Sequence, residues 1–145
     1  MADAAPLVLV ADTAQALPLV ARLLGDEFEI RGATTWDDAV RCLGERPHVA
    51  IVGYHFDGMR AYRLLQKIRE EHDTHLGVVL IRALPVLPQQ ADEQEIEESY
   101  RQLGADVYLV LDKAARGEQF SEASERLRSA VRRLAATTPE APAAP

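Results

Sequence analysis

The stretch HVAIVGYHFDG, residues 48–58, decides the fold. Val49, Ala50, Ile51 and Val52 form an unbroken apolar run of strand length, and Asp57-Gly58 closes the segment with a turn signal. A strand without polar alternation must be covered on both faces, as in a parallel sheet flanked by helices. The carboxyl end of such a strand is where α/β proteins keep their chemistry. Here that end is Gly53, which carries no side chain.

Similar runs recur on either side. LVLVA (7–11), GVVLIR (77–82) and VYLVL (107–111) read as buried strands, whereas FEIRGA (28–33) alternates and reads as an edge strand. Between them, apolar residues fall at helical spacing: Leu17, Val20, Ala21 and Leu24; Trp36, Val40 and Leu43; Tyr62, Leu65 and Ile68; Ile96, Tyr100 and Leu103; and Phe120, Ala123, Leu127, Ala130, Val131 and Leu134. Thr35 with Asp38 fits a capping box, so it predicts the start of the second helix. Pro18 fits only a first helical turn, which places the first helix start near Gln15 or Ala16 unless that helix bends. Five strand–helix units predict a doubly wound five-stranded parallel sheet of the α/β class, a flavodoxin-like (βα)5 fold with strand order 2-1-3-4-5.

The chain has 145 residues, 48% hydrophobic and 27% charged, which suits one globular domain. Residues 7–135 are expected to form it, with a disordered N-terminus at 1–6 and a disordered Ala/Pro-rich tail at 136–145. A formal charge of −7 argues against general affinity for nucleic acid or an anionic membrane. Arg126, Arg128, Arg132 and Arg133 share the last helix with Glu122 and Glu125, so they read as a solvated face. The single cysteine, Cys42, cannot form an internal disulfide and reads as a small core residue; with no signal peptide or long apolar span, the expected location is the cytoplasm.

On these residues the chain resembles the receiver (CheY-like) domains of bacterial two-component response regulators. PHVAIVG stands in the place of that family's P-D-L-I-L-L-D, the LLQKIR helix follows it, and GADVYLV is similar to G-A-D-D-Y-L-T. The resemblance implies a site in which two acidic residues after strand 1 and an aspartate ending strand 3 hold Mg²⁺. That aspartate accepts a phosphoryl group, a hydroxyl after strand 4 and a lysine after strand 5 engage the phosphoryl oxygens, and a strand-5 aromatic switches rotamer.

Position by position, the acidic pair falls on Ala11 and Asp12, the acceptor on Gly53, the hydroxyl on Arg82 and the lysine on Leu111; the switch aromatic is kept as Tyr108. A carboxylate nucleophile, several oxygen ligands for a hard cation and neutralisation of phosphoryl charge are all required, and glycine supplies none of them. The resemblance therefore implies a degenerate receiver, a pseudo-receiver, without catalysis, cofactor or metal of its own. Asp57, four residues past Gly53, is the alternative, displaced acceptor, and Lys113 lies two residues beyond the lysine position; neither is in register. His55 and Gly58 echo part of a cobalamin-binding motif without its aspartate. His72 and His75 have metal-like spacing but no third ligand nearby.

Residues 84–92, LPVLPQQAD, extend the strand 4 to helix 4 connection beyond the usual loop length. Val86 and Leu87, with Tyr108, are the expected partner-binding residues; the loop alternatively folds back as a lid. A second extension, residues 113–119, precedes helix 5. The expected function is a phosphorylation-independent protein-interaction module in bacterial signal transduction. Its partner is a signalling or output protein, with a possible homodimer through the helix 4–strand 5–helix 5 face, which carries such contacts in the resembling family. The competing class is a small-molecule-binding flavodoxin-like domain, against which the absence of a Gly-rich loop after strand 1 counts. Arg82 is expected to cross Gly53 toward Asp12, a gap of roughly two strand spacings, ~10 Å; the alternative is that it projects into solvent, since exposed pairs need not form.

Overall fold

The computed structural model describes residues 5–72, 76–83 and 93–137. Strands β1 (Leu7–Ala11), β2 (Glu29–Ala33), β3 (Val49–Gly53), β4 (Gly77–Arg82) and β5 (Val107–Val110) form one sheet. Its order is β2-β1-β3-β4-β5, and every pairing is parallel. The alternating segment 28–33 is indeed an edge strand. The helices are α1 (Leu17–Leu24), α2 (Trp36–Leu43), α3 (Ala61–Lys67), α4 (Glu93–Gln102) and α5 (Phe120–Thr137). A π-type turn, Ile68–His72, extends α3, and single turns at Phe56–Met59 and Asp112–Ala115 fill the connections after β3 and β5. None of the described helices is long and apolar enough to cross a membrane.

Helix starts follow local chemistry. The Thr35 hydroxyl accepts from Asp38 N at 3.2 Å, the expected cap of α2. Before α1, the Thr13 hydroxyl accepts from Ala16 N at 3.1 Å, and Pro18 lies in the first helical turn, where its missing N–H costs no bond.

Because successive strand residues point to opposite faces, the apolar runs divide between two cores. Leu9, Ala11, Ala50, Val52, Val78, Leu80 and Tyr108 pack on one side with residues of α2, α3 and α4. Val8, Val10, Val49, Ile51, Val79 and Ile81 pack on the other with α1 and α5. The C-terminal helix is held by the buried Ser124 hydroxyl, which donates to Leu23 O at 2.7 Å, and by Arg132 on Glu27. Gly77 lets it close onto β4, since a Cβ there would lie 2.7 Å from Leu134 Cβ. Helix α5 runs to Thr137, and Pro6 O accepts from Glu29 N, so Pro6 extends β1 beside β2.

The amino-terminal end of the sheet is tied by Arg69. Its guanidinium donates to Leu76 O at 2.6 Å and Gly104 O at 2.5 Å, and reaches Asp106, whose carboxylate in turn accepts from Val78 N. Arg69→Met removes the donor from two carbonyls and is expected to lower the unfolding free energy in urea by about 1–3 kcal/mol. An unchanged urea midpoint would show that the clamp contributes nothing.

Candidate functional site

The strand ends β1, β3, β4 and β5 bring the expected positions to one edge of the sheet, and the alternation of side chains then separates them. Asp12 follows Ala11 at the exit of β1, where its N–H continues the ladder by donating to Ala33 O at 3.1 Å. Ala11 is fully buried in the α2–α4 core. Asp12 lies in the opposite parity, with Val8 and Val10, and its carboxyl group sits directly against the backbone of Gly53. A Cβ at position 53 would lie 1.9 Å from Asp12 Cγ and 2.1 Å from each carboxyl oxygen. Gly53 is therefore small because Asp12 needs the space.

The Asp12 carboxyl is 2% exposed. Oδ1 accepts from Thr13 N at 2.7 Å, while Oδ2 has no hydrogen-bond partner among the described residues. Burial pushes its pKa up to about 6, and the Thr13 N–H only partly opposes that. The Mg²⁺ ion that the resemblance implies does not fit these residues. A hard cation needs several oxygen ligands, yet position 53 has no side chain and the one remaining carboxylate fills the place of a second. Among the described residues no group of three His, Cys, Asp or Glu side chains is placed to hold a metal.

Arg82 does not cross Gly53. This corrects the expectation that it reaches Asp12, and strand parity is the reason: Arg82 shares its face with Val78 and Leu80, toward α4, whereas Asp12 and Gly53 face α1 and α5. The guanidinium, 8% exposed, donates from Nε to Glu93 Oε1 at 2.5 Å and lies 3.8 Å from Asp112. Tyr108 Oη donates to both Glu93 oxygens at 3.1 Å. Glu93, the first residue of α4, thus joins β4, β5 and α4 at one point. Neither its composition nor its spacing singled it out; an acidic residue opening a helix is the only signal it carries. Burial, and then the neighbouring Glu93 charge, pushes the Tyr108 phenol well up. His55, half-buried after β3, has its pKa lowered by burial and then by the Arg82 charge.

Tyr108 is buried at 9% exposure, its ring in the α2–α4 core, so it offers a partner little direct surface. Leu111, at the lysine position, is 2% exposed and packs in the α1–α5 core with Ala83 and Ala114. Asp57 is engaged elsewhere: Oδ2 accepts from Trp36 N at 2.8 Å, tying the β3 exit to the first turn of α2. It achieves this at φ 39°, and Gly58 and Met59 follow at 65° and 69°, a left-handed run that only glycine adopts freely. Val86, Leu87 and His75 lie outside the described residues, as does the whole 84–92 segment.

Beside this network, α4, β5 and α5 enclose a half-open groove of about 610 Å³. Glu93, Glu97, Val110, Lys113, Glu122 and Arg126 contribute to its walls. Val110 is 40% exposed there, one of three large apolar side chains so exposed among the described residues.

The raised Asp12 pKa fixes a sign for pH dependence. The folded chain holds this proton between the ordinary value of 3.8 and about 6, where the unfolded chain has lost it. The associated stability is complete below pH 4 and is lost as pH rises through 6, a change of about 3 kcal/mol at most. Asp12→Asn keeps an oxygen for Thr13 N and is expected to be more stable than wild type at pH 7.5, with the difference shrinking toward pH 4. Parallel urea titrations at the two pH values measure it; a variant equally destabilised at both would contradict the assignment.

A scan against protein-family models and a search of curated proteins match nothing. Solved structures do match. The chain is similar to the signal receiver domain of an HD domain-containing protein from Pseudomonas fluorescens, at 19% identity over 94% of this chain and 93% of that one, with a TM-score of 0.68. It is similar to a response regulator from Thermotoga maritima at 23% identity, covering 88% and 98%, with a TM-score of 0.65. A CheY-like response regulator receiver domain protein from Methanospirillum hungatei matches at 15% identity, covering 91% and 97%, also with a TM-score of 0.65. The fold is the one these receiver domains share, a five-stranded all-parallel sheet in the order 2-1-3-4-5 with helices on both faces.

Proposed function

We propose that this domain is a pseudo-receiver, a phosphorylation-independent protein-interaction module of bacterial signal transduction, working in the cytoplasm without catalysis of its own. One observation carries the reading: at the end of β3, where phosphoryl chemistry requires a carboxylate, Gly53 is covered by the buried carboxyl group of Asp12. The other positions support it. Leu111 is core, Arg82 is held by Glu93 on the opposite face, and Asp57 caps α2 rather than facing Gly53.

With chemistry removed, the groove between α4, β5 and α5 is the surface we assign to a protein partner or a second copy. Val110 provides its exposed apolar contact and the Glu93 network sets its shape. Val86 and Leu87, in the segment that joins β4 to α4 in sequence, are included in the same assignment. Tyr108 contributes from beneath, by fixing Glu93.

Incubation with Mg²⁺ and a small phosphodonor such as acetyl phosphate is expected to leave the intact mass unchanged. A stoichiometric acid-labile adduct on Asp57 or Asp12 would end the proposal. Val110→Asp is expected to weaken self-association or partner capture by about tenfold or more, as loss of a central apolar contact does, without moving the thermal midpoint. Undiminished association in sedimentation and pull-down measurements would remove the groove from the interface.

A further inference from the structure

The space over Gly53 is filled from within the chain, and the way it is filled has a consequence beyond the loss of an acceptor. Asp12 leaves β1 toward the α1–α5 side, and its carboxyl carbon and both oxygens stand within 2.1 Å of where any side chain at position 53 would begin. Contacts that close are never tolerated, so one group or the other must move. Asp12 has little freedom to do so. Its side chain has two torsions, it is 2% exposed, and its Oδ1 is bonded to Thr13 N at 2.7 Å in the turn that opens α1. The β1–β3 register brings the two exits side by side, with Ala11 opposite Val52.

We propose that Asp12 is itself the occupant of the strand-end site: its carboxyl group fills the volume a side chain at position 53 would need, and the two residues form a mutually exclusive pair that holds the β1–β3 exit closed. The inference rests on the reading of a site without phosphoryl chemistry and adds a mechanism to it. Closure is an active contact between two residues, so restoring a carboxylate at position 53 alone displaces Asp12 and cannot rebuild a receiver site. The Asp12 plug also links the sheet to α1, because displacing it pulls on the Thr13 turn.

A double-mutant cycle tests the pair. Gly53→Ala in the wild-type chain is expected to lower the thermal midpoint by roughly 5–15 °C, the effect of overpacking a domain of this size. In an Asp12→Gly background the same substitution is expected to cost less than half as much. Equal losses in the two backgrounds would overturn the proposal. Should Gly53→Ala prevent folding of the wild-type chain, folding of the double variant supports the pair, and failure of both variants counts against it. The cycle is separable from the phosphodonor experiment: an adduct would end the functional reading, whereas additivity would end this one.

Discussion

A parallel sheet covered by helices on both sides has two faces and no neutral ground, so every residue at a strand end belongs to one core or the other. In this domain that constraint decides where each polar side chain at the carboxyl edge can go. Asp12 and Gly53 share the α1–α5 face, and the carboxyl of one rests on the backbone of the other. Arg82 leaves from the α2–α4 face and finds Glu93, Tyr108 and Asp112. Two separate polar devices result, on opposite sides of the same sheet edge.

The two devices differ in charge. Around Asp12, among the described residues, one backbone N–H meets the buried carboxyl, and burial holds its pKa above the ordinary carboxylate value. Around Arg82 the guanidinium is compensated by the Glu93 and Asp112 carboxylates, and Tyr108 donates to Glu93 in turn, which ties the start of α4 to β4 and β5. Removing Glu93 would take from the buried Arg82 guanidinium its 2.5 Å acceptor and from Tyr108 the acceptor of its hydroxyl, a larger loss than that of an exposed ion pair. The groove beside β5 is therefore braced by a network that involves no residue of the Asp12–Gly53 pair.

Much of this was legible in the sequence. The unbroken apolar runs specified strands covered on both faces, Thr35 specified a cap, and the alternation of 28–33 specified an edge. Gly53 at the end of VAIVG announced a strand exit without a side chain. The partner of Arg82 was misread for a reason also present in the sequence: Arg82 keeps parity with Val78 and Leu80, so a path to Asp12 would have required crossing the sheet. Glu93 was not legible. It meets Arg82 only because the chain returns to the end of β4 after the 84–92 segment, and no local pattern encodes that return. Asp57 shows the same limit, since its bond to Trp36 N spans 21 residues and depends on how the β3 exit is folded against α2.

The buried Asp12 carboxyl seated on Gly53 is the central contact of this sheet edge, and a raised pKa is its signature. Carbon-13 NMR of the Asp12 carboxyl, titrated from pH 3 to 9 with and without millimolar Mg²⁺, observes that group directly. The expected result is a single midpoint near 6 that Mg²⁺ does not move. A midpoint at or below the ordinary aspartate value of ~3.9, or one driven down by Mg²⁺, would contradict it.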